Sequence, residues 1–168
     1  MQLLVIRHAI AEDSDAWIAA GKDDGERPLS KDGRRRMKRG ARGLRSIVPA
    51  IDVLATSPLV RARETAAIIE VAYDGTPAGE ETDVLLPSAR LTDFVPWLAG
   101  HRERPVVAIV GHESHLSSLV SWLLTGRTQP ILDIRKGGAC LLHFPGEIES
   151  GAAKLEWLAT AGQLRRLA

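Results

Sequence analysis

Two apolar runs in this chain end in a histidine, and they constrain the fold more than any other feature. Leu3-Leu4-Val5-Ile6 leads into Arg7-His8, and Val106-Val107-Ala108-Ile109-Val110 leads into Gly111-His112. Short apolar runs of this kind read as strands buried on both faces, the habit of a parallel sheet covered by helices. Open α/β sheets bind ligands beyond the carboxyl ends of their strands. Two strands that each deliver a histidine there predict one shared site.

The segments between these strands supply the helices. Gly21 to Pro28 is polar and turn-rich and is expected to be a loop. Ser30 is placed to cap a helix running to about Ser46, with Met37, Ala41, Leu44 and Val48 on one stripe and Pro49 ending it. Ile51 to Thr56 is a short strand. Ser57-Pro58 opens a helix to about Val71, with Pro58 near its first turn. Asp74 to Glu81 is expected to be a loop, Thr82 to Leu86 a strand, and Leu91 to Leu98 a helix. Ser114 to Leu124 is a helix ending near Gly126. Ala139 to Phe144 and Lys154 to Thr160 close the sheet around a Pro145-Gly146 turn. The alternation predicts a three-layer α/β/α sandwich, with a mostly parallel central sheet and an antiparallel edge. A length of 168 residues suits one domain, 1–168, with a real core.

Bulk properties narrow the function. The net charge of +1 provides no global field that commits the chain to nucleic acid or membrane. Cys140 is the only cysteine, so no disulfide framework forms within the chain, as suits a reducing cytoplasm. Met1 leads straight into the first strand without the basic start and small-residue cleavage site of a signal peptide. No apolar stretch approaches the ~20 residues that span a bilayer. These features predict a cytoplasmic protein.

The candidate chemistry rests on Arg7, His8, Arg61 and His112. Arginine offers phosphoryl oxygens a planar fork of donors. Histidine serves as nucleophile, acid or base near neutral pH. Arg61 stands on the first turn of its helix, whose N-terminus also favours an anion. Two guanidinium forks and two imidazoles suffice for phosphoryl transfer through a phosphohistidine intermediate, with positive charge supplied by the protein. No metal and no cofactor is expected.

Four motifs occur in order: Arg7-His8 after the first strand; Leu29-Ser30-Lys31-Asp32-Gly33; Ser57-Pro58-Leu59-Val60-Arg61-Ala62-Arg63-Glu64-Thr65; and Val110-Gly111-His112. From Met1 to about Thr160 this pattern resembles the histidine phosphatase superfamily, with its phosphoglycerate mutase-like fold. Arg27-Pro28-Leu29, and Gly111-His112-Glu113 followed by Leu116, resemble its small branch of bacterial phosphohistidine phosphatases. The resemblance implies that His8 is the nucleophile and that Arg7, Arg61 and His112 complete the catalytic and substrate-binding pocket.

The chain also departs from the pattern. Ala9 stands where the superfamily usually has glycine. Ser114-His115 replaces a frequent Pro-Asp, and His115 is expected on the helix surface. The glutamate that larger members place after the third strand is missing from Asp83-Val84-Leu85-Leu86-Pro87-Ser88. Asp83, Glu81, Asp13 and Asp15 remain candidates only as carboxylates.

The resemblance thus implies a metal-independent phosphatase. Its expected partners are a phosphorylated protein, such as a histidine phosphotransfer domain, or a small phosphoester, with inorganic phosphate as product. A phosphatase for small phosphomonoesters and a non-catalytic phosphate-binding or protein-interaction module are the alternatives. Arg34, Arg35, Arg36, Lys38, Arg39, Arg42 and Arg45 make the first long helix basic. It reads as a solvated face or a docking surface for an acidic partner. Lys136 could line the mouth of the site, and Arg63 with Glu64 is expected to be solvated. The four tryptophans read as core or interface, and Cys140 as buried and inert.

Overall fold

The computed structural model describes residues 1–75 and 77–168. Its six-stranded sheet has the order β3-β2-β4-β1-β5-β6. In chain order these strands are β1 (Gln2–Arg7), β2 (Val53–Thr56), β3 (Gly79–Glu81), β4 (Val106–Gly111), β5 (Ala139–His143) and β6 (Lys154–Ala159). β1 pairs in parallel with β4, β4 with β2, and β2 with β3. β5 joins β1 antiparallel, and β6 joins β5 antiparallel. The expected parallel sheet with an antiparallel edge is therefore present.

Alternation along the central strands builds two cores. Leu4 and Ile6 of β1 enter one, with Met37, Ala41 and Leu44 of α2 (Lys31–Ile47), Ala62 and Ile69 of α3 (Val60–Ala72), and Leu164 of α6 (Ala161–Leu164). Leu3 and Val5 enter the other, with Phe94 and Leu98 of α4 (Leu91–Ala99), and Leu116, Leu119 and Leu123 of α5 (His115–Thr125). Successive strand residues face opposite sides, so the sheet lies between two helical layers. Fully burying each Leu or Ile contributes about 1.5–3 kcal/mol.

The site lies where this topology divides. The chain leaving β1 leads to α2 on one face, and the chain leaving β4 leads to α5 on the other. β1 and β4 are neighbours, with Arg7 beside Gly111. Their carboxyl ends form the crevice that doubly wound sheets use for ligands.

Three expectations need correction. The third strand is Gly79–Glu81, not Thr82 to Leu86. It is a polar edge strand without apolar alternation, whereas Asp83–Leu85 forms a 3-10 turn that buries Leu85 in the core. The expected loop from Asp74 to Glu81 thus gives way to strand at its end, and Thr76 lies outside the described residues. Pro58, expected near the first turn of α3, does stand there, one residue before the N-cap Leu59. The β5–β6 connection is not a tight turn around Pro145-Gly146. Its far end packs back on α5, where Gly151 and Ala153 donate to the Trp122 and Leu123 carbonyls at 3.1 and 3.0 Å. Finally, the segment between β1 and α2 contains α1 (Ser14–Ala19) and a 3-10 turn (Asp24–Glu26), so part of the Gly21 to Pro28 loop is helical. α1 buries no residue, which explains why apolar periodicity does not reveal it.

Candidate active site

The ends of β1, β2 and β4 are tied together by main-chain hydrogen bonds. His8 N–H donates to the Gly111 carbonyl at 3.0 Å, and Ser57 N–H to that of Val110 at 3.0 Å. Gly111 lets Leu116 pack closely, because a Cβ there would lie 2.9 Å from Leu116 Cδ2 and would have to displace that side chain. Gly33 is held more tightly still, since its Cβ would fall 1.9 Å from the Ile10 carbonyl oxygen. The Ser30 hydroxyl caps α2 as expected, accepting from Gly33 N–H at 3.0 Å. The start of α2 is thereby clamped against the chain that leaves His8.

These elements bring all four expected residues together. His8 and His112 are buried, with ring centroids 5.0 Å apart and planes tilted by 48°. His8 Nδ1 lies 2.7 Å from the Ala9 carbonyl oxygen. That oxygen can only accept, so Nδ1 carries the proton and Nε2 keeps its lone pair. Burial lowers the His8 pKa to about 3, helped by the charges of Arg61, Arg7 and Lys136 and opposed by the Ala9 hydrogen bond. Burial likewise lowers His112 to about 3, with the charges of His8, Arg61 and His115 adding to it and Asp24 opposing. Both imidazoles are neutral at pH 7.

Each arginine is held by one part of its guanidinium. Arg7 Nη1 donates to the Ile134 carbonyl at 2.8 Å, and Arg61 Nη1 to the Asp24 carbonyl at 2.8 Å. Arg61 Nη2 also pairs with Asp24 Oδ2 at 3.1 Å. The Nε atoms of both arginines and both ring nitrogens of His112 are buried without a hydrogen-bond partner among the described residues. Buried polar atoms are normally paired, and a cluster without partners marks a strained or ligand-binding locus. Two fixed guanidinium groups beside two neutral imidazoles form a cradle for a tetrahedral oxyanion.

Sequence reasoning missed the supports of this cradle. Asp24 accepts from Arg27 Nε at 2.7 Å as well as from Arg61. Burial pushes its pKa upward, but the Arg27 hydrogen bond and both guanidinium charges outweigh it and hold it low. Thr65 Oγ1 donates to the Arg61 carbonyl at 2.7 Å and accepts from Ala9 N–H at 3.0 Å, joining α3 to the residue after His8. Glu64 is not simply solvated: it accepts from Leu29 N–H at 2.6 Å and from Arg34 Nη2 at 2.5 Å. Arg63 is the outward member, reaching Glu81 at 3.4 Å. Glu113 accepts from Ile134 N–H at 3.2 Å and so steadies the segment that holds Arg7. His115 is not on the helix surface. It is buried, with both ring nitrogens unpaired among the described residues. The only advance signal is its place three residues after His112.

Among the described residues, no group of three or more His, Cys, Asp or Glu side chains is arranged to hold a metal ion. Cys140 is buried in β5, and its thiol is pushed up to about 12 by burial and by Glu113. No helix among those residues is long and apolar enough to cross a membrane.

Comparison with known proteins agrees with this fold. An uncharacterized protein of Picosynechococcus sp. is 33% identical over 158 residues, covering 93% of this chain and 89% of that protein. Among solved structures, the protein histidine phosphatase SixA complexed with tungstate superposes with a TM-score of 0.80 at 22% identity, over 98% of this chain and 99% of its own. The alpha-ribazole phosphatase of Shigella flexneri gives 0.76 at 17% identity, over 96% and 97%. A phosphoserine phosphatase mutant of Entamoeba histolytica in complex with phosphoserine gives 0.71 at 16%, over 97% and 98%. Such identities speak to fold alone. At the level of sequence, residues 3–84, which carry Arg7, His8 and Arg61, match the histidine phosphatase superfamily (branch 1), and the chain belongs to that superfamily.

Proposed function

We propose that this protein is a phosphatase that passes the phosphoryl group through His8 and acts on phosphohistidine carried by another protein, such as a histidine phosphotransfer domain. His8 Nε2 attacks phosphorus with its lone pair while the bond to the leaving group breaks. The Ala9 carbonyl, accepting from Nδ1, stabilises the positive charge that develops on the ring. Arg7, Arg61 and His112 bind the equatorial oxygens of the phosphoryl group as charge spreads over them. Water then attacks the phosphorylated His8, breaks the P–N bond and releases inorganic phosphate. The protein's own cations supply the charge stabilisation, so neither a metal nor a cofactor is assigned.

The state of the carboxylates around the pocket carries the phosphohistidine reading. Asp24 is clamped by Arg27 and Arg61 and held ionised. Glu113 accepts from the Ile134 and Ser117 amides at 3.2 and 3.3 Å. Glu81 pairs with Arg63, Asp83 is exposed, and Asp13 caps α1. Asp24 and Glu113, the carboxylates tied to the site residues, are engaged as acceptors rather than poised to protonate an alkoxide, a leaving group that needs such help. Phosphohistidine departs as neutral imidazole once its ring is protonated, and that ring has an ordinary pKa near 6.5. The short Ser57–Leu59 connection between β2 and α3 also leaves no inserted lid there to enclose a small substrate.

The fold likeness to phosphatases named for alpha-ribazole and phosphoserine favours a second reading, a phosphatase for small phosphomonoesters. Catalytic efficiency on a phosphohistidine-bearing phosphotransfer domain, measured beside phosphoserine and sugar phosphates at one pH, separates the two. The phosphohistidine substrate should lead by at least tenfold. A small phosphomonoester leading by that margin would overturn the phosphohistidine assignment. Equal phosphate release by wild type and His8→Ala would overturn the catalytic reading and leave a phosphate-binding module.

A further inference from the structure

Beside the phosphoryl cradle lies a second cationic feature with no place in the steps above. A small hollow of about 20 Å³ opens next to Ala9 and Ile10, and Arg36 of α2, Lys136 and Arg165 stand around it. No carboxylate lines it. Lys136 and Arg165 have no ion pair among the described residues, and Arg36 shares Asp32 with Arg35.

The hollow is fixed relative to His8. Gly137, with φ of +71°, donates its N–H to the carbonyls of Arg7 and His8 at 3.2 and 3.1 Å. Lys136 therefore precedes a turn pinned to the end of β1, and its charge is one of those that act on His8. Arg165 is set by the last helix, where the Thr160–Gln163 capping box fixes the first turn of α6 and Arg165 N–H donates to the Ala161 carbonyl at 3.1 Å. The positive φ at position 137 favours glycine, and Ala161 and Met37 lie at ordinary contact distance from where its Cβ would be. Three cations from three separate segments thus converge on one concavity beside the nucleophile position. Like charges held together repel, and an anion relieves that repulsion.

We infer that this hollow is a specificity subsite for a second anionic group on the substrate, a carboxylate or phosphate close to the phosphoryl group being removed. The inference rests on the phosphatase reading and refines it: the preferred substrate carries flanking negative charge. In a protein substrate that charge is an acidic side chain next to the phosphohistidine. In a small substrate it is a second acid group on the same molecule.

The test compares matched substrate pairs on wild type, Lys136→Gln and Arg165→Gln. One pair is a phosphohistidine peptide with glutamate or glutamine beside the phosphorylated residue. The other is 3-phosphoglycerate and glycerol 3-phosphate, alike apart from the carboxylate. Wild type should prefer the acidic member of at least one pair by about tenfold, and which pair shows it identifies the source of the anion. Arg165→Gln should raise KM for the acidic member about threefold and leave kcat and the neutral member unchanged, and Lys136→Gln should raise KM for the acidic member over the neutral one by a similar factor, as expected for partly exposed ion pairs. The preference should shrink as salt rises. No acidic preference in either pair would overturn the inference. So would variants that slow both members equally, because Lys136 would then act through the field at His8. p-Nitrophenyl phosphate serves as the control. Its failure to turn over, with every other substrate inert, would count against the phosphatase reading. Calorimetric binding of 3-phosphoglycerate against glycerol 3-phosphate to His8→Ala then still decides the subsite, with equal affinities overturning it.

Discussion

The imidazole of His8 stands 5.0 Å from that of His112, tilted by 48°, and neither ring is charged at neutral pH. Burial lowers both to about 3 from an ordinary value of 6.5. The unfolded chain therefore binds more protons than the native protein between those values. Stability from these two groups is complete above pH 6.5 and is lost as pH falls toward 3. Each tenfold difference in proton affinity between the folded and unfolded states is worth about 1.4 kcal/mol. Melting temperature should decline through that window, and a flat profile from 6.5 to 4 would contradict the burial argument. A bound dianion reverses the balance by favouring the charged rings. Sulfate, which holds its charge across this range, should bind more tightly at pH 5 than at pH 7 and take up protons in calorimetry.

His8→Ala should abolish turnover and keep a native circular dichroism spectrum. Rapid quench of wild type with labelled substrate should trap an adduct on His8 that is labile in acid and stable in base. Full activity in the alanine variant, with no adduct in a burst experiment, would remove His8 from the mechanism.

Arg61→Lys should not be conservative. Lysine keeps the charge but loses the fork that binds Asp24 with Nη1 and Nη2 while leaving Nε unpaired. Catalytic efficiency should fall at least tenfold, about 1.4 kcal/mol of transition-state binding. Asp24→Asn should produce part of that loss, and the double variant should cost less than the sum, because the two side chains act as one unit. Additive losses would show that Asp24 does not orient Arg61.

Chelation should leave activity unchanged, since arginines and imidazoles carry the proposed charge stabilisation. Loss of activity with EDTA, restored by a divalent ion, would require a different mechanism. Vanadate or tungstate should inhibit competitively and bind between Arg7, His8, Arg61 and His112. A soaked crystal with the anion elsewhere would count against the cradle.

Much of this is legible in the sequence because apolar runs report burial. The β1 and β4 runs, the Ser30 cap and the stripe on α2 each announce an element, and the histidines at the strand ends announce the crevice. The edge strand β3 is not legible, because Gly79-Glu80-Glu81 is exposed and has no pattern to read. α1 escapes for the same reason. The supports of the site escape for another: the Arg61–Asp24 pair spans 37 positions and the Ala9–Thr65 hydrogen bond 56. No local spacing encodes such pairs. His115 shows the opposite error, since a polar residue at a helix start reads as exposed, yet the turn directs it inward.

Thr65 offers a test of how tightly the nucleophile is held. Its hydroxyl is wholly buried, gives its proton to the Arg61 carbonyl and receives the Ala9 N–H. Thr65→Val keeps the shape but leaves the buried Ala9 N–H unpaired, while the Arg61 carbonyl keeps its helical partner, a cost of about 1–3 kcal/mol. For a chain of this size each kcal/mol corresponds to about 2–4 °C, so the melting temperature should drop by about 2–12 °C. Activity at temperatures well below melting separates support from simple stability. Thr65 anchors the amide of Ala9, the residue whose carbonyl, one peptide unit on, fixes the His8 tautomer. Thr65→Val should therefore lower kcat while the protein is still fully folded, whereas Thr65→Ser, which keeps the hydroxyl, should restore it. If both variants lose stability yet keep wild-type kcat, the hydrogen bond serves the fold alone and His8 is positioned by β1 and β4.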